Sequence, residues 1–291
     1  MELAERKVND IIIKKVPGVR LNTKSKDKLF GDLFPVVYLL AKRKTGKTTT
    51  LYTILDHCAD PKDTIVIFFC GQITRDPTYK SILKRLQKRN IKYIPCDSMY
   101  GENGEDELAN LIEKLKQPDD DWAALDPFAP GNEEADDPEP VMPKLYKPDG
   151  EEDSDGEPVE EIPFRYIIVI DDLSDEIKHS RSLKKFLKES RHMRCMTLIS
   201  TQNKNDLPPE CINQFTHVLA YAKIPSEKRD SKLYQLFNDM SLNIPYDSFR
   251  EIYLRATAPE DGETKSHNFL YVDTDNIKFR KNFDIEYKLN N

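Results

Sequence analysis

Six short apolar runs punctuate the chain, each closed by polar or helix-breaking residues: Val36 to Leu40, Thr64 to Cys70, Ile91 to Pro95, Arg165 to Ile170, Cys195 to Ser200 and Thr216 to Ala222. Most are continuous rather than alternating, the pattern of strands covered on both faces. Helix-like stretches lie between them: Lys47 to Asp60, Tyr79 to Arg89, Glu105 to Lys116, Leu183 to Arg191 and Ser226 to Met240. Strands that alternate with helices predict βαβ units and an α/β fold with a mainly parallel sheet. Asp10 to Lys15 predicts an extra edge strand, and "HNFLYVD" with "NIKFRKNF" predicts a C-terminal hairpin.

From Gln117 to Glu161 the pattern disappears. This stretch holds eight prolines and seventeen acidic residues against two lysines, Lys144 and Lys147, and predicts a disordered acidic insertion within the domain. Its net charge is −15; since all 291 residues sum to −7, the remainder carries +8. A basic body of this kind suits a polyanionic partner. The predicted organisation is an N-terminal extension or edge strand (1–33), a core in two pieces (34–116 and 162–240), the insertion (117–161) and a C-terminal extension (241–291). Trp122 lies within the insertion, where a lone aromatic is more often incidental than an anchor. Five cysteines without CxxC spacing argue against a disulfide framework or zinc site and for a reducing compartment. The apolar runs are only strand length and the N-terminus is charged, so the expectation is a soluble intracellular protein without a membrane span.

The first apolar run, "VVYLL", leads into Ala41-Lys42-Arg43-Lys44-Thr45-Gly46-Lys47-Thr48, followed by Thr49 and a helical stretch. Strand, loop and helix fit the phosphate-binding pattern G-x-x-x-x-G-K-[ST]. In it, loop amides and the positive helix end face the β-phosphate, Lys47 reaches the β- and γ-phosphates, and the Thr48 hydroxyl holds Mg2+. The first glycine of the pattern is Ala41 here, which fits only if its backbone is not left-handed.

A second strand, "RYIIVIDD", ends in two carboxylates. Asp171 at the strand tip is the candidate for the metal shell. Asp172 is the candidate to polarise a water for attack on the γ-phosphate, with Glu176 as the alternative base. A third strand, in "MTLISTQNKNDLPP", brings Gln202 to the same sheet edge, where it can sense the γ-phosphate or orient the water. In open α/β sheets ligands sit at that carboxyl edge. The strand "TIVIFFC" comes between loop and carboxylates in the chain, an order resembling the additional-strand division of P-loop ATPases, which includes RecA-like motors. ATP is the expected nucleotide.

The order of "KTGKTTTL", "FFCGQITRDPTYKSILKRL", "IIVIDDLSDE", "SRHMRCMTLISTQ" and "LPPECINQFTHVLAY" resembles the viral genome-packaging ATPases of the FtsK–HerA superfamily, a poxvirus-type, Polinton- and virophage-like group. The resemblance covers about residues 34 to 222 without the insertion. It implies a RecA-like core whose homo-oligomeric ring, a pentamer or hexamer, hydrolyses ATP with Mg2+ to drive double-stranded DNA into a preformed capsid. Capsid or portal-vertex proteins become partners, and the location becomes the host-cell cytoplasm, a viral factory or the virion. Carried over residue by residue, Gly46, Lys47 and Thr48 form the cradle, Asp171 and Asp172 the acidic motif, and Gln202 the glutamine motif. A ring also needs an arginine from the neighbouring subunit. Arg191, in "SRHMRC", is the first choice, Arg194 the second and Arg75 the third. His192 has no His or Cys at metal spacing and reads as structural or solvated.

DNA contacts, if made, are to phosphates and sequence-tolerant; candidate segments are "NKND", "SEKRDSK" and "KSILKRLQKRN". Two other readings compete. One is another P-loop DNA motor, such as a conjugative pump or a helicase, although too little chain follows Gln202 for a second RecA-like domain. The other is a non-hydrolysing nucleotide-dependent scaffold.

Overall fold

The structure is a computed structural model that describes residues 29–116, 165–222, 229–262 and 266–288. The expected edge strand at 10–15, the acidic insertion and Trp122 lie outside the described residues.

In chain order the elements are β1 (Val36–Leu40), α1 (Lys47–Cys58), β2 (Thr64–Cys70), α2 (Pro77–Lys88), β3 (Lys92–Cys96), α3 (Glu107–Leu115), β4 (Arg165–Asp171), α4 (Ser174–His179), α5 (Arg181–Glu189) and β5 (Cys195–Thr201). A 3-10 turn (Lys204–Asp206), α6 (Pro209–Ile212), β6 (His217–Tyr221), α7 (Arg229–Met240), α8 (Tyr246–Ala256), β7 (Phe269–Asp273), β8 (Lys278–Lys281) and β9 (Ile285–Tyr287) complete the described chain.

All nine strands join one sheet in the order β3-β2-β4-β5-β1-β6-β7-β8-β9. The strands from β3 to β6 are parallel, and β7 to β9 continue the sheet antiparallel. This is a RecA-like P-loop fold of the additional-strand type, with β5 between the loop-bearing β1 and the carboxylate-bearing β4. The inserted strand is therefore "CMTLIST". The run "TIVIFFC", which comes between the two motifs in the chain, lies on the outer side of β4. Chain order does not give spatial order, because a crossover helix can carry the chain past an occupied position.

Central strands read as unbroken apolar runs because both faces are covered. Leu51, Ile54, Leu55, Tyr79, Ile82 and Leu86 of α1 and α2 pack on one face, together with Val37, Leu39, Val66, Phe68, Val169 and Leu198. Helices α3 to α8 cover the other face, packing on Tyr38, Ile67, Ile168, Ile170 and Ile199. β3 is less buried and contains Pro95, which lacks an N–H and is tolerated at the sheet edge.

The C-terminal residues form three antiparallel strands that continue the sheet, with β7 and β8 paired over a short turn and β9 added beyond them. Leu270, Tyr271, Val272 and Phe279 are buried in the same two cores as the parallel strands. Helix α8 was not expected, yet its buried Phe249, Ile252, Tyr253 and Ala256 have helical spacing. The helix expected at Leu183 to Arg191 begins earlier, at Arg181, capped by Ser180 Oγ, which accepts from Leu183 N at 3.0 Å.

Candidate active site

The loop from Ala41 to Thr48 joins the C-terminal end of β1 to α1. Ala41 donates its N–H to Thr201 O at 3.0 Å, its side chain is buried, and its φ is not among the positive values. The methyl group thus packs where the pattern has glycine, and the backbone needs no left-handed turn. That requirement falls on Lys44, with φ 62°, and on Gly46, with φ 95°. Thr45 is buried and closes the loop by donating Oγ1–H to Lys42 O at 2.7 Å. Lys42, Arg43 and Lys44 are exposed, as is Thr49 in the first turn of α1. Helix α1 has no acidic residue in its first turn and no side-chain cap, so its N-terminal amides are open to an anion.

Lys47 turns onto the sheet. Its Nζ lies 2.7 Å from Asp171 Oδ1, with side-chain exposures of 13% and 2%. Tyr79, from α2, donates its hydroxyl to the other oxygen, Asp171 Oδ2. Burial first, and then the Asp171 charge, push the Tyr79 phenol far above its ordinary range, so it is a fixed donor. The Cys70 thiol beside them is pushed up to about 11, chiefly by burial.

Asp172, one residue on, has φ 59° and is exposed. It leaves the strand direction and accepts from Gln202 Nε2 at 2.8 Å. Asp is one of the few residues that adopt this backbone region with modest strain. The two carboxylates thereby separate: Asp171 faces Lys47 under the loop, and Asp172 faces a cleft of about 390 Å³ lined by Arg43, Ser174, Asp175, Gln202 and Asp206. Lys47, Thr48, Asp171, Asp172 and Gln202 all sit at the carboxyl edge of three adjacent strands.

Thr48 and Asp171 are the residues that would hold Mg2+, and the buried polar atoms fit such a group. Asp171 Oδ1 meets Lys47 Nζ, and the Ser200 hydroxyl, next to Asp171 in register across β4 and β5, has no hydrogen-bond partner among the described residues. When bound, the metal would neutralise phosphate charge.

Glu176, the alternative base, lines the same cleft as Asp172, and its Oε2 accepts from Met99 N at 2.6 Å and Ser98 Oγ at 3.1 Å, pinning the loop after β3. Arg191 and Arg194 precede β5 and lie at the opposite sheet edge from the phosphate loop, roughly 20 Å away at about 3.3 Å per residue. There Asp275 is pushed up by burial, then by Asp273 and Asp32, and Arg191 partly offsets the rise. Arg75, exposed after β2, is on the same edge as the loop. His192 is exposed. Lys204 of "NKND" is mostly buried and pairs with Asp239 of α7 at 2.5 Å, so it is not presented to an outside polyanion.

Two neighbours of the loop escaped sequence reasoning. His267 precedes β7, and its Nδ1 lies 3.9 Å from where a β-carbon on Gly46 would stand. Tyr221, at the end of β6, donates to Thr50 Oγ1 in α1. His267 opens "HNFLYVD" and Tyr221 ends "LPPECINQFTHVLAY", but neither segment shows its approach to the loop; tertiary pairing brings them there.

No protein-family model matches the chain, and no curated protein matches it significantly. Among solved structures it is similar to the genome packaging NTPase B204 of Sulfolobus turreted icosahedral virus 2 in complex with ATP-gammaS, at 13% identity over 87% of this chain and 99% of that one, with a TM-score of 0.43. It is also similar to B204, the DNA-packaging ATPase of Sulfolobus turreted icosahedral virus, at 13% identity over 85% and 96%, with a TM-score of 0.47. A further likeness is to EssC (ATPases 2 and 3) of Geobacillus thermodenitrificans, at 11% identity over 88% of this chain and 41% of that one, with a TM-score of 0.45.

Proposed function

We propose that the chain is an ATP-hydrolysing motor that moves double-stranded viral DNA into a preformed capsid as a homo-oligomeric ring. The observation that carries the hydrolytic part is the division of labour at β4. Asp171 is buried against the phosphate-loop lysine, whereas Asp172 is held by Gln202 at the open cleft. Lys47 and the α1 amides take the phosphates, and Thr48 and Asp171 take the metal. Asp172 accepts the proton of an attacking water that Gln202 orients. Nothing in this arrangement asks for a covalent intermediate.

The DNA part is supported by the sequence resemblance and by charge. Lys80, Lys84 and Lys88 are exposed and four residues apart on α2, which aligns them on one helix face toward a phosphate backbone. An arginine of the neighbouring copy, Arg191 first, completes each site. Capsid or portal-vertex proteins dock the ring, and it works in the host-cell cytoplasm or a viral factory. Among the described residues no helix is long and apolar enough to cross a membrane.

The test is steady-state ATP hydrolysis with and without double-stranded DNA, for the wild type, Lys47→Ala and Asp172→Asn. DNA should stimulate turnover, and each substitution should lower it at least a hundredfold. Turnover that DNA leaves unchanged would remove the translocation reading. A wild type that binds ATP without hydrolysing it at any protein concentration would favour the scaffold.

A further inference from the structure

We propose that Tyr79 is a positioning residue for the Asp171 carboxylate, setting which oxygen faces the phosphate loop and thereby how strongly the site takes Mg2+. The inference rests on the reading of Asp171 as the metal-holding carboxylate.

Asp171 is 1% exposed, and its two oxygens have different environments. Oδ1 is paired with Lys47 Nζ at 2.7 Å. Oδ2 accepts from Tyr79. A lysine that serves both the phosphates and Asp171 cannot fix the carboxylate, because it leaves when it engages phosphate. The phenol, by contrast, is held by the fold. Tyr79 is buried at the third position of α2, and its ring stands edge-on to Phe68 with centroids 6.4 Å apart. The helix start that carries it is capped by Asp76, whose Oδ1 accepts from Thr78 N at 2.7 Å. With Oδ2 held by the phenol, Oδ1 is directed to Lys47 on the loop side, where the Ser200 hydroxyl has no partner among the described residues. Tyr79 touches neither the phosphates nor the water; it acts through Asp171.

The experiment uses the full chain and Tyr79→Phe, which keeps the ring and its contact with Phe68. Binding of a fluorescent ATP analogue is titrated in EDTA and then against MgCl2. Affinity in EDTA should stay within about twofold of wild type, while the Mg2+ concentration at half effect should rise roughly tenfold, as expected for losing a hydrogen bond to a charged group. In an Asp171→Asn background the same substitution should shift the midpoint by less than about twofold. An unchanged Mg2+ midpoint overturns the proposal. So does a fall in affinity that is equal with and without Mg2+, which marks a merely structural role. Turnover is measured separately. A wild type with Mg2+-dependent binding but no hydrolysis removes the motor reading and leaves Tyr79 its role; normal hydrolysis with an unshifted midpoint in Tyr79→Phe does the reverse.

Discussion

At the scale of single residues, the phosphate loop shows how a departure from a pattern is absorbed. The Ala41 methyl group lies in the core that includes Val37, Leu39 and Leu51, and the left-handed backbone is moved to Lys44 and Gly46. Ala41→Gly therefore removes packing and adds chain entropy without opening the site. We expect a loss of about 0.5–1 kcal/mol in denaturant unfolding and an ATP affinity within about twofold of wild type. A large gain in affinity would mean that the methyl group obstructs phosphate. Lys47, Thr48, Asp171, Asp172 and Gln202 could be named from the sequence because each ends a recognisable strand or begins a helix. Tyr79 could not, since its partner is ninety-two positions away and only the pairing of β2 with β4 brings the two elements together.

At the scale of elements, the six parallel strands are legible as apolar runs and their boundaries agree to within a residue or two. Their neighbours are not, because register and order are set by packing across the whole sheet. The short α4 and α6 offer too few residues for a period to emerge, whereas α8 has a clear one at Phe249, Ile252, Tyr253 and Ala256. Basic segments were the least informative. Lys204 is spent on Asp239, while Lys80, Lys84 and Lys88 remain exposed, a difference that charge counting cannot see. Helix α2 gives a test at this scale. Asp76→Ala removes its N-cap bond to Thr78, which should cost about 1 kcal/mol and lower the melting temperature by roughly 2–4 °C. Calorimetry would check this, and an unchanged melting temperature would show that Pro77 and packing alone hold the helix start.

For the whole molecule, the sheet is one body despite its mixed topology. β7 runs back along β6, so the residues before it reach the phosphate-loop edge, and His267 stands beside Gly46. Phe279 on β8 is fully buried and meets Phe249 of α8 at 6.4 Å. Phe279→Ala should therefore cost about 3–5 kcal/mol and shift a single cooperative transition, followed together by tyrosine fluorescence and loss of ATP-analogue binding. Two separated transitions, with binding lost only in the second, would mark the C-terminal strands as an appendage.

The opposed placement of loop and arginines bears on symmetry. With the phosphate loop at one sheet edge and Arg191 at the other, two copies whose sheets run parallel and level would set each loop beside its neighbour's loop and each Arg191 beside its neighbour's Arg191. For Arg191 to reach a neighbour's nucleotide, unlike edges must meet, either reciprocally across a two-fold axis or head to tail in a contact that repeats until the rotation closes. Edge polarity within one chain thus sets a condition on the proposed ring: its copies must be offset or tilted so that the amino edge of one sheet lies against the carboxyl edge of the next.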